Sequence, residues 1–343
     1  VSVQKLPVGK GHTNTASIMA FGYNPFITSW SPYHGSAYAV IEAAAKVVAA
    51  GARYDKMRYS YQEYFERMNS ETSWGKPLAA LLGALKMQVE MGWPSIGGKD
   101  SMSGTFQNIN VPPMLMAFGI TTVDARTVIS PEFKAANHKL YLVKHTPLAN
   151  YMPDTECLKA NFDFVSSAIE SGKIVAGYAV GFGGVQEAVS KMSFGNNIGF
   201  KAEKDLAENW HLPFYGFIIA ELTEDTDAAW KFGVTTAEPV IDLVSDKATI
   251  ADLLTLNEGT LENVYPTSAP VEAKPFPTVS DKEGIAIAKS NGTYKGRPPA
   301  VCPDFDRVVT LWQSGEITAV EAARRLQINP STFYRKLKGV KKL

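Results

Sequence analysis

The stretch from Trp93 to Gly104 combines residue types that can bind a phosphate group and a divalent metal. Its chemical groups are two glycines, a lysine, a carboxylate and a hydroxyl in direct succession, namely Gly97, Gly98, Lys99, Asp100 and Ser101. Backbone N–H groups and a lysine suit phosphate oxygens, and a carboxylate oxygen suits Mg²⁺. The spacing is not that of a P-loop. A plain glycine turn before a charged pair also explains these residues.

Two other places have the residue types of an anion or metal site. Glu42 and Lys46 interrupt an otherwise apolar helical segment at positions i and i+4. They form either a helical ion pair or a site where Glu42 faces a metal or a phosphate. Gly183 and Gly184 follow an apolar strand and precede a helix, which predicts either an anion site at the helix N-terminus or a tight turn.

Composition places the chain among ordinary soluble globular proteins. It has 343 residues, of which 45% are hydrophobic and 20% are charged, enough for two or three domains. The sequence has no run of 18 apolar residues, so neither a transmembrane helix nor a membrane partner is expected. The start of the chain lacks a signal-peptide pattern, and Cys157 and Cys302 suggest neither a disulfide framework nor a zinc site. A cytoplasmic location is therefore expected.

The periodicity of apolar residues predicts the elements that position these groups. Residues 16–23 and 113–123 are typical of buried strands, and residues 37–50 of a buried helix. A short helix is predicted at 61–67, and a longer one from Lys76 to Gly92 with Pro77 at its first position, leading into the glycine loop. The sequence thus predicts an α/β (α+β) fold. Its expected divisions are a first domain at 1–135, a second at 136–265, a proline-rich linker at 266–279 and a C-terminal domain at 280–343.

The C-terminal domain is basic. Residues 283–343 carry 11 Lys/Arg and 5 Asp/Glu, a net charge of +6 in a chain whose total is zero. Three short helical segments at 304–313, 318–326 and 331–338 have the spacing of a helix-turn-helix. The residues expected to bind DNA are Lys295 and Arg297 in an extended arm, and Ser331, Thr332, Tyr334, Arg335 and Lys338 in the last helix. A surface hairpin that is basic by chance is the alternative.

Residues 1 to about 270 resemble phosphoribosylformylglycinamidine synthase, a family of de novo purine biosynthesis. The matching segments occur in the same order along both sequences. They are Phe21–Phe26, Ser31–Gly35, Tyr61–Phe65, Gly97–Gly104, Ala179–Gly184 and Asn257–Gly259. The segments resemble the second of the two internal repeats in the family's single-chain form.

This resemblance implies an aminoimidazole ribonucleotide synthetase-like fold, in which two N-terminal domains pair to close a β-barrel. It implies ATP or ADP and Mg²⁺ as ligands, with Lys99 and the glycines at the phosphates and Asp100 or Glu42 at the metal. The implied reaction is ATP-dependent amidation of formylglycinamide ribonucleotide. We therefore expect at least a dimer with residues 1–135 at the interface.

The sequence departs from the family in two ways. The first synthase repeat and the glutaminase domain have no counterpart in these 343 residues. In large family members the second repeat is associated with a nucleotide that is held structurally. The expected partners are therefore the missing repeat and glutaminase, or a homodimer mate. The nucleotide site is either catalytic or structural.

Residues 280–343 resemble a different family, the DNA-binding domains of serine recombinases (resolvases and invertases). The matching segments are 282–289, 292–298, 316–326 and 331–335. The recombinase catalytic domain is absent from the sequence. Two hypotheses follow: an enzyme fragment that binds adenine nucleotide, or a DNA-binding protein with a nucleotide-binding or dimerising front body.

Overall fold

The protein, described from a computed structural model, divides into two compact units, Val1–Ser268 and Ala269–Leu343. The structure describes residues 1–267 and 302–340. The predicted linker at 266–279 and the arm with Lys295 and Arg297 therefore lie largely or wholly outside the described residues. Each unit is treated by itself.

The first unit begins with a five-stranded sheet of order β1-β2-β7-β3-β4. Strands β3 and β4 are parallel, and the other neighbours are antiparallel. A two-stranded hairpin, β5–β6, lies between β4 and β7. The bounds are β1 Ser2–Lys5, β2 Thr15–Gly22, β3 Arg58–Tyr64, β4 Ser95–Lys99, β5 Thr105–Phe106, β6 Ile109–Asn110 and β7 Met114–Asp124.

Three helices accompany this sheet: α1 Pro25–Trp30, α2 Pro32–Ala49 and α3 Glu71–Met91. The side chain of Ser31 caps α2, and Pro32 takes its first position, where the missing N–H costs nothing. Helix α2 is buried on nearly all sides because it packs against the first sheet, α3 and the second sheet. This confirms the prediction of a buried helix here.

Two predictions of local structure in this region are wrong. Residues 61–67 are not a helix, because β3 occupies Arg58–Tyr64 and turns Tyr59 and Glu63 inward with the period of a strand. Helix α3 starts at Glu71, ahead of the predicted Lys76, because Ser70 forms a capping box with Ser73.

The stretch predicted as a glycine loop is partly a strand. Residues Ser95–Lys99 form β4, which pairs with β3 at the edge of the sheet. The backbone beyond β4 continues the pairing, since Ser101 donates its N–H to the carbonyl of Glu63 at 3.0 Å. The phosphate-type residues are therefore held in extended conformation.

A second sheet follows within the same unit, with seven strands in the order β14-β13-β10-β12-β8-β11-β9. Phe200 and Phe232 lie in its core. The helices are α4 Thr155–Glu170, α5 Gly184–Phe194 and α6 Ile250–Gly259. The strands are β8 Lys139–Val143, β9 Ile174–Ala179, β10 Gly199–Ala202, β11 Ile218–Leu222, β12 Trp230–Thr236, β13 Val240–Asp242 and β14 Lys247–Thr249.

The described part of the second unit is helical. It contains α7 Phe305–Gln313, α8 Ala319–Arg325 and α9 Pro330–Val340. Val308, Leu326 and Phe333 form a small buried core. The three predicted helices are confirmed, as is the cap of α8, where the Thr318 hydroxyl accepts the N–H of Glu321 at 3.3 Å.

The mixed α/β architecture followed by a small helical region confirms the predicted fold class. The two sheets of the first unit are separated in sequence between Asp124 and Lys139. The exact domain boundary at residue 135 stays a prediction. None of the described helices is long and apolar enough to cross a membrane.

Candidate functional site

The predicted phosphate-binding residues lie where several strands of the first sheet end. Strand β4 ends at Lys99 and β3 at Tyr64, while β7 starts at Met114 beside them. We call the segment Gly97–Ser101 the β4 cluster. Strand β4 is at the edge of the sheet in the described part of the chain, so half of its backbone N–H groups have no partner strand there. The cluster thus offers N–H donors outside the sheet pairing next to a lysine.

Lys99 is exposed at the end of β4. Its ammonium group donates to the hydroxyl of Tyr64 at 3.2 Å and lies 4.7 Å from the centre of that ring. A lysine held in this way keeps hydrogen-bond capacity for a ligand, because an ammonium group has three donors. Lys99 faces the open side of the sheet, in register with Gln62.

Gly98 is required by a close approach of two backbones. A Cβ atom built on it would lie 2.8 Å from the carbonyl oxygen of Tyr61. Gly97 has open space around its Cα instead. Of the two glycines, Gly98 is therefore needed for strand packing, and only Gly97 leaves room for a ligand.

Behind the β4 cluster lies a carboxylate that the sequence analysis missed. Glu63 is 6% exposed, and one of its oxygens, Oε1, has no hydrogen-bond partner among the described residues. The hydroxyl of Tyr61 is likewise buried without a partner in that part of the chain. Burial, with a smaller contribution from the charge of Asp100, raises the pKa of Glu63 to about 7.

The carboxylates of Glu63 and Asp100 have the chemistry of a magnesium site that a ligand completes. In residues 1–267 and 302–340 no group of three or more His, Cys, Asp or Glu side chains could hold a metal. Mg²⁺, however, is commonly bound by one or two carboxylates together with substrate phosphates and water. The orphaned oxygen of Glu63 beside Asp100 fits that requirement.

A cavity of about 530 Å³ opens between α2, α5 and the loop after β9. Charged and aromatic side chains line it, including Glu42, Lys46, Tyr178, Phe182, Glu187 and Lys191. The four charged groups form two ion pairs of i, i+4 spacing: Glu42–Lys46 at 2.7 Å on α2, and Glu187–Lys191 on α5. The charges cancel, so the cavity lacks the positive excess expected of a phosphate site.

Both carboxylate oxygens of Glu42 are already engaged. One accepts from Lys46 at 2.7 Å and the other from the backbone N–H of Tyr23 at 2.9 Å. Burial nevertheless raises its pKa, against the opposing effect of Lys46. The ion pair that the sequence spacing predicted is present. The role of Glu42 as a metal ligand stays a prediction, and a metal would have to displace one of these two partners.

The glycine turn before α5 also has an internal partner. The N–H of Gly183 donates to a carboxylate oxygen of Glu187 at 2.7 Å. Gly184 has φ = +72°, and a Cβ on it would lie 2.5 Å from the carbonyl oxygen of Trp210. A side chain is therefore excluded at Gly184 by both conformation and packing. The features of a tight turn are present, while phosphate binding at Gly183 and Gly184 stays a prediction.

The β4 cluster and the cavity do not share one site. Glu42 contacts the end of β2 through Tyr23, and Lys99 ends β4. The strand order places β2 and β4 three strand spacings apart, about 14 Å. The nucleotide residues predicted from the sequence thus fall into two groups at the same end of the first sheet.

An aromatic pair beside the cavity was also missed. Phe26 and Phe182 stack with ring centres 5.4 Å apart and an angle of 14° between the planes. Both rings are exposed, by 68% and 59%. Phe182 lines the cavity, so the pair lies at its edge. Each residue lies in a segment that resembles the synthase family, but they are 156 positions apart in the chain, and nothing in the sequence indicated that they pair.

The predicted DNA-binding residues of the last helix lie in α9. The Tyr334 side chain is half-exposed and meets the ring of Trp312 edge-on, with centres 6.4 Å apart. Thr332 is partly buried. Ser331, Arg335 and Lys338 belong to the same helix, and Lys295 and Arg297 precede the described residues of this unit.

Comparisons with known proteins match the two parts of the chain separately. The helix-turn-helix domain of resolvase is the family model that matches, over residues 296–340. A curated relative, phosphoribosylformylglycinamidine synthase subunit PurL of Picrophilus torridus, is 28% identical over 211 residues, which cover 55% of this chain and 27% of the relative. The chain spans about a quarter of the length of the curated relatives it matches.

Solved structures share the fold of the main body. PurL of Thermotoga maritima complexed with ADP has a TM-score of 0.55 at 15% identity, covering 93% of this chain and 63% of that chain. The same protein complexed with FGAR has a TM-score of 0.56 at 14% identity, covering 70% of this chain and 46% of that chain. Both resemblances predicted from the sequence are thereby confirmed.

Proposed function

We propose that residues 1–267 are the nucleotide-binding body of a phosphoribosylformylglycinamidine synthase. The whole enzyme would carry out ATP-dependent amidation of formylglycinamide ribonucleotide. The observation that carries the proposal is the similarity over 211 residues to a curated PurL. The T. maritima relatives complexed with ADP and with FGAR support adenine nucleotide and formylglycinamide ribonucleotide as ligands.

In this proposal the β4 cluster binds the phosphates. Lys99 and the N–H groups at the edge of β4 would donate to the phosphates, and the Ser101 hydroxyl lies two residues further along. Asp100 and Glu63 together would hold Mg²⁺, which when bound neutralises phosphate charge. Ionisation of Glu63 in that complex removes a buried carboxyl proton, since burial otherwise favours the neutral form.

The cavity between α2 and α5 is proposed as the second ligand region. Phosphate binding at Gly183 and Gly184 would require Glu187 to leave the N–H of Gly183, while Lys191 would become available as a cation. The Phe26–Phe182 pair gives the cavity an aromatic edge against which a flat ring can stack. Only with Lys191 released from Glu187 would this region suit a ligand with both a ring and an anionic group.

Turnover is proposed to require more than this chain, namely the missing synthase repeat and a glutaminase, or a homodimer mate. The nucleotide in the β4 cluster can then have either a structural or a catalytic role. Binding of ADP without hydrolysis of ATP would agree with a structural role, and glutamine-independent ATP turnover would agree with a catalytic role.

Calorimetry with ADP, with and without MgCl₂, tests the proposal on the full chain. We expect binding that is strengthened by Mg²⁺, and we expect Asp100→Asn to remove that strengthening. Asp227→Asn, at a carboxylate of the second sheet region, is the matched control and should keep it. An absence of ADP and ATP binding at millimolar concentration would reject the nucleotide site.

DNA binding through the second unit is a second candidate function. It is favoured by the match of residues 296–340 to the resolvase helix-turn-helix and by the net charge of +6 over 283–343. We expect a single copy of this unit to bind A·T-rich duplexes weakly, in the non-specific range of about 10⁻⁴–10⁻⁶ M and with a strong salt dependence, and a dimer of the full chain to bind more tightly because it presents two copies. Fluorescence anisotropy at two salt concentrations tests this, and salt-independent or absent binding contradicts it.

A further inference from the structure

Helix α3 exposes a continuous row of large apolar side chains. We call this row the α3 stripe, and its exposed fractions range from 47% to 72%. Its members are Trp74, Leu78, Leu81, Leu82, Leu85 and Val89. The opposite face of α3 packs against α2 through residues such as Ala80 and Met87, which are also apolar. A helix that is apolar on both faces is expected to be covered on both faces.

The α3 stripe is narrow and uncharged. At 100° per residue its six side chains fall within about 50° on either side of a line midway between Leu81 and Leu82. The row is about 22 Å long, at 1.5 Å per residue. The nearest ion pair, Lys86–Glu90, is outside this sector. Monomeric soluble proteins seldom leave such a row in water, and its usual purpose is contact with another macromolecule.

The spacing of the α3 stripe is symmetric. Its successive intervals are 4, 3, 1, 3 and 4 residues, so the row has the same pattern from either end. If two copies of α3 cross antiparallel, with the two-fold axis between Leu81 and Leu82, Trp74 of one copy meets Val89 of the other. Leu78 meets Leu85 in the same way. Such an interface is isologous, with the same patch on both subunits.

We propose that the α3 stripe is a self-association surface that pairs two copies of this chain antiparallel about a two-fold axis. The antiparallel arrangement puts the largest side chain of the row, Trp74, opposite the smallest, Val89. A parallel arrangement would put Trp74 against Trp74 and leave a gap between the two Val89 side chains. The absence of charge in the row means that self-pairing brings no like charges together.

This surface is separate from the β-barrel pairing expected from the family resemblance. Barrel closure uses the open face of the first sheet, where Met19 and Phe21 are exposed. The α3 stripe is on the helical side, since α3 packs mainly against α2. Assembly through the α3 stripe does not depend on nucleotide binding.

Sedimentation velocity of the full chain at micromolar concentration is the first test. We expect the native chain to associate through the α3 stripe, and the double variant Leu81→Glu, Leu85→Glu to sediment as a smaller species with unchanged helicity by circular dichroism. Leu256→Glu, at an exposed leucine of α6, is the control and should sediment like the native chain. A monomeric native chain, or a double variant that sediments like the native chain, overturns the proposal.

Cysteine cross-linking tests the geometry without destabilising the helix. In a background with Cys157→Ser and Cys302→Ala, Leu82→Cys should cross-link to its own copy with a short bismaleimide. Trp74→Cys should not, because the two copies of residue 74 would lie about 22 Å apart along the helix. Trp74→Cys mixed with Val89→Cys should cross-link. Self-linking of Trp74→Cys alone, or no linking of the mixture, contradicts the antiparallel pairing.

Discussion

Replacement of Lys99 by alanine should weaken ADP binding without destabilising the protein. The side chain is exposed, and its partners are the Tyr64 hydroxyl at 3.2 Å and the Tyr64 ring. Tyr64 is only partly buried, so its hydroxyl can bond to water when the lysine is gone. The variant should therefore unfold at the same urea concentration as the native chain, and any loss of binding reflects the ligand.

The expected loss of ADP affinity follows from the exposure of the Lys99 ammonium group. Two unit charges 4 Å apart attract by about 4 kcal/mol at an effective dielectric constant of 20. Solvent competition reduces the net value of a charged hydrogen bond to about 1.5–3 kcal/mol. At 1.4 kcal/mol per factor of ten, the dissociation constant for ADP should rise about 10- to 150-fold.

Isothermal titration calorimetry with ADP and MgCl₂ measures this change directly. Lys5→Ala is the matched control, because Lys5 is an exposed lysine on β1, the opposite edge strand of the same sheet. Lys99→Arg keeps the charge and should retain most of the affinity. An ADP affinity in Lys99→Ala within twofold of the native value would refute the assignment of the β4 cluster. If Lys191→Ala weakened binding instead, the phosphates would be assigned to the cavity.

Three further predictions concern stability and DNA. His145 is buried, which lowers its pKa below 6.5. The contribution of the neutral imidazole to stability is therefore fully present above pH 6.5 and is lost as the pH falls through the lowered pKa. Between pH 7 and pH 5 the urea midpoint should fall less in His145→Gln than in the native chain. Gly184→Ala should cost about 1–3 kcal/mol in urea unfolding, because φ is +72° and the backbone is close. Arg335→Ala should relax sequence preference by about 1–3 kcal/mol if Arg335 contacts guanine. Lys338→Ala should weaken binding to all duplexes alike and reduce the salt slope by about one. Fluorescence anisotropy measures both changes.

Sequence predicted best the elements whose signal is strong and local. Helix α2 has a run of alanine and valine after Ser31 and Pro32, and β7 has an apolar run of strand length. Helix propensity, capping and burial agree in these segments. The fold class followed from their order, and the family resemblance supplied the synthetase-like architecture.

The wrong prediction at 61–67 came from a conflict between composition and period. Gln62, Glu63 and Glu66 favour a helix, and they hid the two-residue alternation of Tyr59, Tyr61 and Glu63. Correct recognition of that alternation would have placed Glu63 on the buried face. The orphaned carboxylate behind Asp100 was therefore predictable in principle, because strand period alone determines which face a side chain takes.

The glycine turn before α5 shows why spacing cannot distinguish a ligand site from a satisfied turn. A helix N-terminus attracts an anion whatever its source, and here Glu187 supplies the carboxylate for the N–H of Gly183 from within the same helix. Lys191, four residues on, neutralises that carboxylate. The sequence pattern of glycines before a helix is identical in both cases. The difference lies in whether the acidic side chain of the first turn accepts the N–H at the helix N-terminus, which depends on side-chain conformation. An external phosphate must therefore compete with an intramolecular carboxylate that loses no translational freedom on binding.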